Sequence, residues 1–176
     1  SDGSTIRGLV INGFNSTGGY AGNYDEAINL VSNNNHVECN FLGVQADGTT
    51  AAPNLRGVDI NSVNNNVIGS DGTAKAYFAR NLISGNSYGQ VDTRGNALSG
   101  NIIAGNYIGT DASGSVAMAG QGGIVEGVEI NANPGPASGN YVGWNGVGNP
   151  ALMPNVISGF TGSTMAGVIM TVGAYA

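Results

Sequence analysis

Two acids fill the same slot of a repeated phrase. Asp59 lies in RGVDI at residues 56–60 and Glu129 in EGVEI at residues 126–130. Paired carboxyls are the equipment of glycoside hydrolysis, which needs them ~5 Å apart for retention of configuration or ~6.5–9.5 Å apart for inversion. Taking the two phrases as three strand spacings apart puts these acids about 14 Å from each other. That is too far for either geometry, and both are expected on a solvated outer face. Asp25 and Glu26 are neighbours in sequence, so alternation along a strand sends them to opposite sides.

The other reactive residues come singly. His36 is the only histidine and follows Asn33-Asn34-Asn35, which reads as a loop or corner. Cys39 is the only cysteine, so there is no internal disulfide and no CxxC pair for a metal; its slot before Asn40 predicts a small buried residue. Asp47, Asp71 and Asp111 sit beside loop glycines, where calcium is one option. None belongs to a D-x-D-x-D or G-G-x-G-x-D run, so turn formation is expected of all three. No metal set and no cofactor motif is read. Tyr107, Tyr141 and Trp144 are the candidates for stacking on a sugar ring. Tyr107 and Tyr141 occupy matching places in GNYIG and GNYVG, with Phe41 in the same place once. Asn15-Ser16-Thr17 is a glycosylation acceptor pattern, but with 24 asparagines one such match carries little weight.

These residues are set in an unusual background. Charged residues make up 9% of the chain, Gly accounts for 31 of 176 residues, and 41% is hydrophobic. An ordinary soluble domain is about 25% charged. Gly and Asn with spread-out Val and Ile imply many turns and many short strands. The net charge is −6, and only Arg7, Arg56, Lys75, Arg80 and Arg94 are basic. No cationic patch is available to neutralise phosphates, so nucleic acid is excluded as a partner. No apolar run approaches the ~18 residues of a membrane span.

What must position the candidates is a repeat. VECNFLGVQADG from Val37, IAGNYIGTDASG from Ile103 and SGNYVGWNGVG from Ser138 share a small residue, Asn, an aromatic, an aliphatic and Gly. NNNVIGSDG starts at Asn64. RGVDI and EGVEI follow after loops, and ARNLISGN at 79–86 is matched by MPNVISGF at 153–160. The order recurs after about 66 to 78 residues, read as three strand-bearing turns, in the period range of solenoids. In G-V-acid-I the aliphatics, Val58 and Ile60 or Val128 and Ile130, are expected to point inward and the acid outward. Asn40, Asn66, Asn106 and Asn140 are expected at the corners. There Asn tolerates left-handed backbone angles, and its amide can bond the backbone or an Asn stacked above it.

The phrases N-x-I-x-G-N-Y-I-G-T-D and G-V-x-I resemble the repeats of the pectate-lyase-like superfamily, especially the long arrays of large secreted or surface proteins. The resemblance covers nearly the whole chain. It implies an all-β fold, a right-handed parallel β-helix of seven or eight turns with no obvious caps. Residues 1–176 read as one such domain or as a stretch of a longer solenoid. Function does not follow from that fold, which carries lyases, hydrolases, adhesins and structural arrays. The clustered Asp, G-H-G and R-I-K strings of the superfamily's hydrolases are missing. Its lyases use an Arg base with Asp-bound calcium, whereas here the basic residues look scattered, with no pair to hold a uronate carboxylate.

Both ends read as strand phrases, STIRGLVI and AGVIMTVGAYA. Uncovered end turns expose backbone groups and a slice of core. Head-to-tail contact between copies, which does not close and so grows a filament, is the expected outcome. The sequence thus reads as a secreted or surface structural or adhesive protein without catalytic activity, whose partner is other copies of itself. A carbohydrate-active module with a polysaccharide partner is the alternative. It predicts a groove of acids and aromatics on one flat face.

Overall fold

The computed structural model describes residues 2–15, 25–73, 78–118, 126–133, 135–160 and 165–172. The protein is all-β. The described residues contain parallel sheets, a 3-10 turn at Pro150–Leu152, and no helix long and apolar enough to cross a membrane.

The strands are short and numbered in chain order. A first sheet holds β1 (Thr5–Arg7), β4 (His36–Glu38), β7 (Val67–Gly69), β11 (Ile102–Ala104) and β15 (Tyr141–Val142). A second holds β2 (Val10–Ile11), β5 (Phe41–Leu42), β8 (Leu82–Ile83), β12 (Tyr107–Ile108) and β16 (Val156–Ile157). A third holds β3 (Glu26–Leu30), β6 (Arg56–Asn61), β9 (Gly89–Arg94), β13 (Glu126–Ala132) and β17 (Ala166–Val172). A two-stranded sheet pairs β10 (Leu98–Ser99) with β14 (Ala137–Ser138). The chain visits the three large sheets in turn and returns to each one strand further on. Five tiers result, where seven or eight turns were expected. Successive tiers are 31, 31, 35 and 39 residues apart along the first sheet. The repeat of about 66 residues therefore spans two tiers, not three, because the loops between strands are longer than the sequence reading allowed.

The interior is built of aliphatic columns. In the first sheet Ile6, Val37, Ile68, Ile103 and Val142 lie in register; in the second, Ile11, Leu42, Ile83, Ile108 and Ile157. The third contributes Ile28, Val58, Val91, Val128 and Val168. Val58, Ile60, Val128 and Ile130 all lie in this core. Each such side chain contributes about 1.5–3 kcal/mol when fully buried. No single tier could bury its own column, so stability comes from stacking.

At the sheet corners asparagines form ladders. In each step the upper Oδ1 accepts from both the backbone N–H and the side-chain amide of the Asn below. One ladder runs Asn35, Asn66, Asn101, Asn140, with backbone-to-Oδ1 distances of 2.9, 3.0 and 3.1 Å. A second runs Asn40, Asn81, Asn106, Asn155, with 3.0, 3.2 and 2.9 Å. A third joins Asn54 to Asn86, whose side-chain amide donates to Gln90 Oε1 at 2.8 Å. The left-handed backbone is not at these asparagines; before several of them it falls one residue earlier, with φ 60° at Asn34, 59° at Cys39, 57° at Asn65 and 72° at Gly105. That bend turns the side chain of Cys39 outward. Cys39 is exposed, contrary to its expected burial, because the residue that makes the bend is not the one that faces in.

Candidate functional site

The outer face of the third sheet gathers most of the protein's buried charge. Its strands depart from simple alternation. A Cβ added at Gly57 would lie 2.4 Å from Ile83 Cγ2 in the core, while one added at Gly89 would lie 2.1 Å from Asp92 Oδ1. The second position of each strand therefore faces inward beside the third, and the first and fourth face outward, a local break of the pleat of the kind bulges make. The register then aligns Glu26, Arg56, Gly89, Glu126 and Ala166 in one outer row and Asn29, Asp59, Asp92, Glu129 and Ile169 in the next.

This corrects two expectations. Asp59 and Glu129 lie two strands apart, not three, with Asp92 between them. Asp59 is also not solvated: it is fully buried and gripped by Arg94, whose Nε donates to Oδ1 at 2.8 Å and to Oδ2 at 2.9 Å, with Nη2 also on Oδ2. Nor are all the basic residues scattered: Arg56 and Arg94 come together. Arg56 Nη1 and Arg94 Nη2 converge on Glu26 Oε1 at 3.4 and 3.1 Å. Arg56 Nε donates to Asp92 Oδ2 at 2.5 Å, and its guanidinium lies over the Tyr88 ring, 4.5 Å from the centroid.

The face carries five carboxyls against two guanidiniums. Glu26 Oε2, Asp92 Oδ1, Glu126 Oε2 and the Asn29 Oδ1 beside them are buried without a hydrogen-bond partner among the described residues. Burial pushes the Asp92 carboxyl up to about 7; Arg56 pulls it down, and Glu129 and Asp59 push it further up. Burial, and then Glu129, also raises Glu126. Spacing between neighbouring strands, about 4.8 Å, is suited to paired-carboxyl chemistry, but Asp59 and Asp92 are shut off from solvent at 0% and 2% exposure. No group of acids, His and Cys among the described residues is placed to hold a metal ion.

The aromatic candidates do not form a strip. Tyr107 lies on β12 of the second sheet and Tyr141 on β15 of the first, so the two GNY phrases do not stack. Asn106 and Asn140 accordingly stand in different ladders, Asn106 in that of Asn40, with Asn81 between them, and Asn140 in that of Asn66, with Asn101 between them. The Tyr107 ring is occupied by the protein itself. Arg80 lies over it, 4.1 Å from the centroid, and a Cβ at Gly114 would come within 2.5 Å of Cζ. Phe41 meets the loop at Gly48 in the same way, and Ala112 N–H donates to Gly48 O at 2.9 Å to tie these two loops together. Tyr141 and Trp144 are exposed in the last tier; the Trp144 indole N–H donates to Val147 O at 3.1 Å.

The remaining candidates have structural partners. Asp47 accepts from the N–H groups of Thr49 and Thr50, which hold its carboxyl down to about 2. The Ser113 hydroxyl likewise lowers Asp111, against the opposing effect of burial. Burial raises Asp71, but the Thr73 hydroxyl and N–H outweigh it and leave it lowered. His36 opens strand β4 rather than a loop. The strand β3 begins at Glu26, one residue after Asp25, and Glu26 is buried in the charged face. Asn15 is exposed, and the rest of its acceptor pattern lies outside the described residues.

No protein-family model, curated protein or solved structure matches this chain. Its reading rests on its own geometry.

Proposed function

We propose that this chain is a parallel β-helix of the pectate-lyase-like kind, a non-catalytic structural module that works by stacking end to end with further β tiers at a cell surface or outside the cell. The observation that carries the reading is the contrast along one column. Val58, Val91 and Val128 are fully buried, whereas Val168 at the last tier is 45% exposed. Beside it Met170, in register with the buried Ile130, is 72% exposed. A core slice left open in this way, next to strand edges with unused backbone groups, favours association. The low charge and Gly- and Asn-rich composition fit a packed extracellular material. Light scattering and electron microscopy of the concentrated chain test this. Association that Val168→Lys with Met170→Lys removes, without lowering the melting temperature, supports it. A monomer at every concentration, indifferent to the two lysines, refutes it.

The charged face favours a second reading, a carbohydrate-active module, because it places Asp92 with a raised pKa between Asp59 and Glu129. Its burial weighs against a substrate reaching it. Release of sugars from acidic or neutral polysaccharides, lost in Asp92→Asn, would establish this reading instead.

A further inference from the structure

The charged face of the third sheet is held together unevenly. Arg94 on β9 reaches Asp59 on β6 and Glu26 on β3; Arg56 on β6 reaches Glu26 on β3 and Asp92 on β9. Guanidinium groups thus cross-link the first three tiers. None of the ion pairs among the described residues extends to β13, although β13 brings two acids, Glu126 and Glu129, to the same face.

Gly89 brings an acid of β9 close to them. The first outer row runs Arg56, Gly89, Glu126 across β6, β9 and β13. The Asp92 carboxyl leans into the place a side chain at Gly89 would take: a Cβ there would lie 2.1 Å from Oδ1, 2.7 Å from Cγ and 2.8 Å from Oδ2. Asp92 therefore stands in the row between Arg56 and Glu126. Its Oδ2 takes the Arg56 Nε–H at 2.5 Å. Its Oδ1 has no partner among the described residues, nor has Glu126 Oε2, and the two residues are only 2% and 9% exposed. With Arg56 engaged by Oδ2, the row neighbour left for Oδ1 is Glu126. Two carboxylates are both acceptors and cannot satisfy each other. A carboxyl and a carboxylate can, through one O–H···O bond, and the buried charge drops by one unit.

The surroundings favour that proton. On β6, Arg56 favours ionisation of Asp92 and Asp59 opposes it; on β13, Glu129 opposes ionisation of both Asp92 and Glu126. Arg94 on β9 and Glu26 on β3 are engaged with one another. Glu26 Oε2 also lacks a partner, but its Oε1 carries both guanidiniums. β17 sets Ala166 beside Glu126 and Ile169 beside Glu129 and adds no charge.

We propose that Asp92 and Glu126 share one proton, and that this bond is a latch holding the tier of β13 to the tier of β9, released when the proton leaves to water. Rising pH then loosens the stack at this junction, while the arginine-linked tiers of β3, β6 and β9 stay together.

Hydrogen exchange at the β13 amides of the full chain, corrected for base catalysis, tests this. One proton held near pH 7 and lost on opening makes opening about tenfold more frequent at pH 8 than at pH 6. Glu126→Gln keeps the shape and donates a permanent N–H to Asp92 Oδ1, so its opening should stay at the pH 6 level throughout. Glu126→Ala removes the charge without a donor and should open more often already at pH 6. If Gln and Ala behave alike, or Gln leaves the pH dependence intact, no proton is shared and the inference falls. Infrared spectroscopy of the unaltered chain gives a second reading: the carbonyl stretch of a protonated carboxyl is expected at pH 6, absent at pH 8 and absent in Asp92→Asn. Lack of that band at pH 6, or its survival in Asp92→Asn, overturns the inference. So does protection of β13 restored at pH 8 by calcium ions, which would make a cation the occupant.

Discussion

The second ladder can be tested at its most buried step, Asn81. This side chain is completely buried and makes four hydrogen bonds. Its Oδ1 accepts from Asn40 N–H at 3.0 Å and from Asn40 Nδ2 at 3.1 Å; its Nδ2 donates to Val37 O at 2.8 Å and to Asn106 Oδ1 at 2.9 Å. Asn81→Ala removes all four and leaves the buried Asn40 N–H without an acceptor. One stranded donor costs about 1–3 kcal/mol and each of the three other lost bonds about 1, giving about 4–6 kcal/mol in all. Asn140→Ala, at the partly exposed last step, also removes bonds, but water replaces them there and the expected loss is about 1 kcal/mol. Asn81→Asp keeps the volume and the accepting oxygen but turns an oxygen toward Val37 O and Asn106 Oδ1 in a site without a cation. It should destabilise at least as much as alanine. Urea unfolding at neutral pH, followed by circular dichroism and hydrogen exchange, measures all three. If Asn81→Ala and Asn140→Ala fall within about 0.5 kcal/mol of each other, or Asn81→Asp is tolerated, the ladders are not what holds the tiers in register.

Three further outcomes follow from the same geometry. Arg94→Met strands the buried Asp59 carboxylate and should cost about 3 kcal/mol, with Asp59→Asn in the same chain restoring much of it; a double-mutant cycle reads the coupling. Asp92 has a folded pKa near 7, above the unfolded value of about 3.9. The native state therefore holds the extra proton, and the stabilisation is full below about pH 4 and lost as pH rises through 7; Asp92→Asn should flatten the fall in melting temperature between pH 5 and 8. Gly69 has φ +94° and a Cβ there would stand 2.1 Å from Ala104 O, so Gly69→Ala should cost more than about 2 kcal/mol. Gly139, with φ +62° and open space around it, should lose only about 1 kcal/mol on the same change, as thermal melts would show.

Residue type and local spacing made the strands legible, and loop length hid their stacking. RGVDI and EGVEI do share a sheet, and their aliphatics do enter the core, because inward Val and Ile leave a pattern that survives in any register. GNYIG and GNYVG look alike yet occupy different sheets. Both have an inward aliphatic after a ladder Asn, and corners in two sheets ask for the same residues. The tier between RGVDI and EGVEI was missed because its strand reads GQVDT: Gln90 stands where the others have Ala or Gly, and Thr93 where they have Leu, Ile or Met. With that strand went Asp92, the central acid of the charged face. The pairing of Arg94 with Asp59, 35 residues away, had no local signal at all, since it depends on the lengths of intervening loops.

The order of the tiers also sets how the chain would respond to tension. Strands β1 and β17 lie at opposite ends of the stack, so a pull applied near both bears on the outermost tiers first. Each tier is held to the next by its own set of inter-strand bonds, and losing one leaves the remainder intact. Extension should therefore proceed as a sawtooth, with each event releasing the 31 to 39 residues of one tier. At ~3.3–3.6 Å per residue, that is about 100–140 Å of slack at a time. A material made of such chains would absorb work in small, separate instalments.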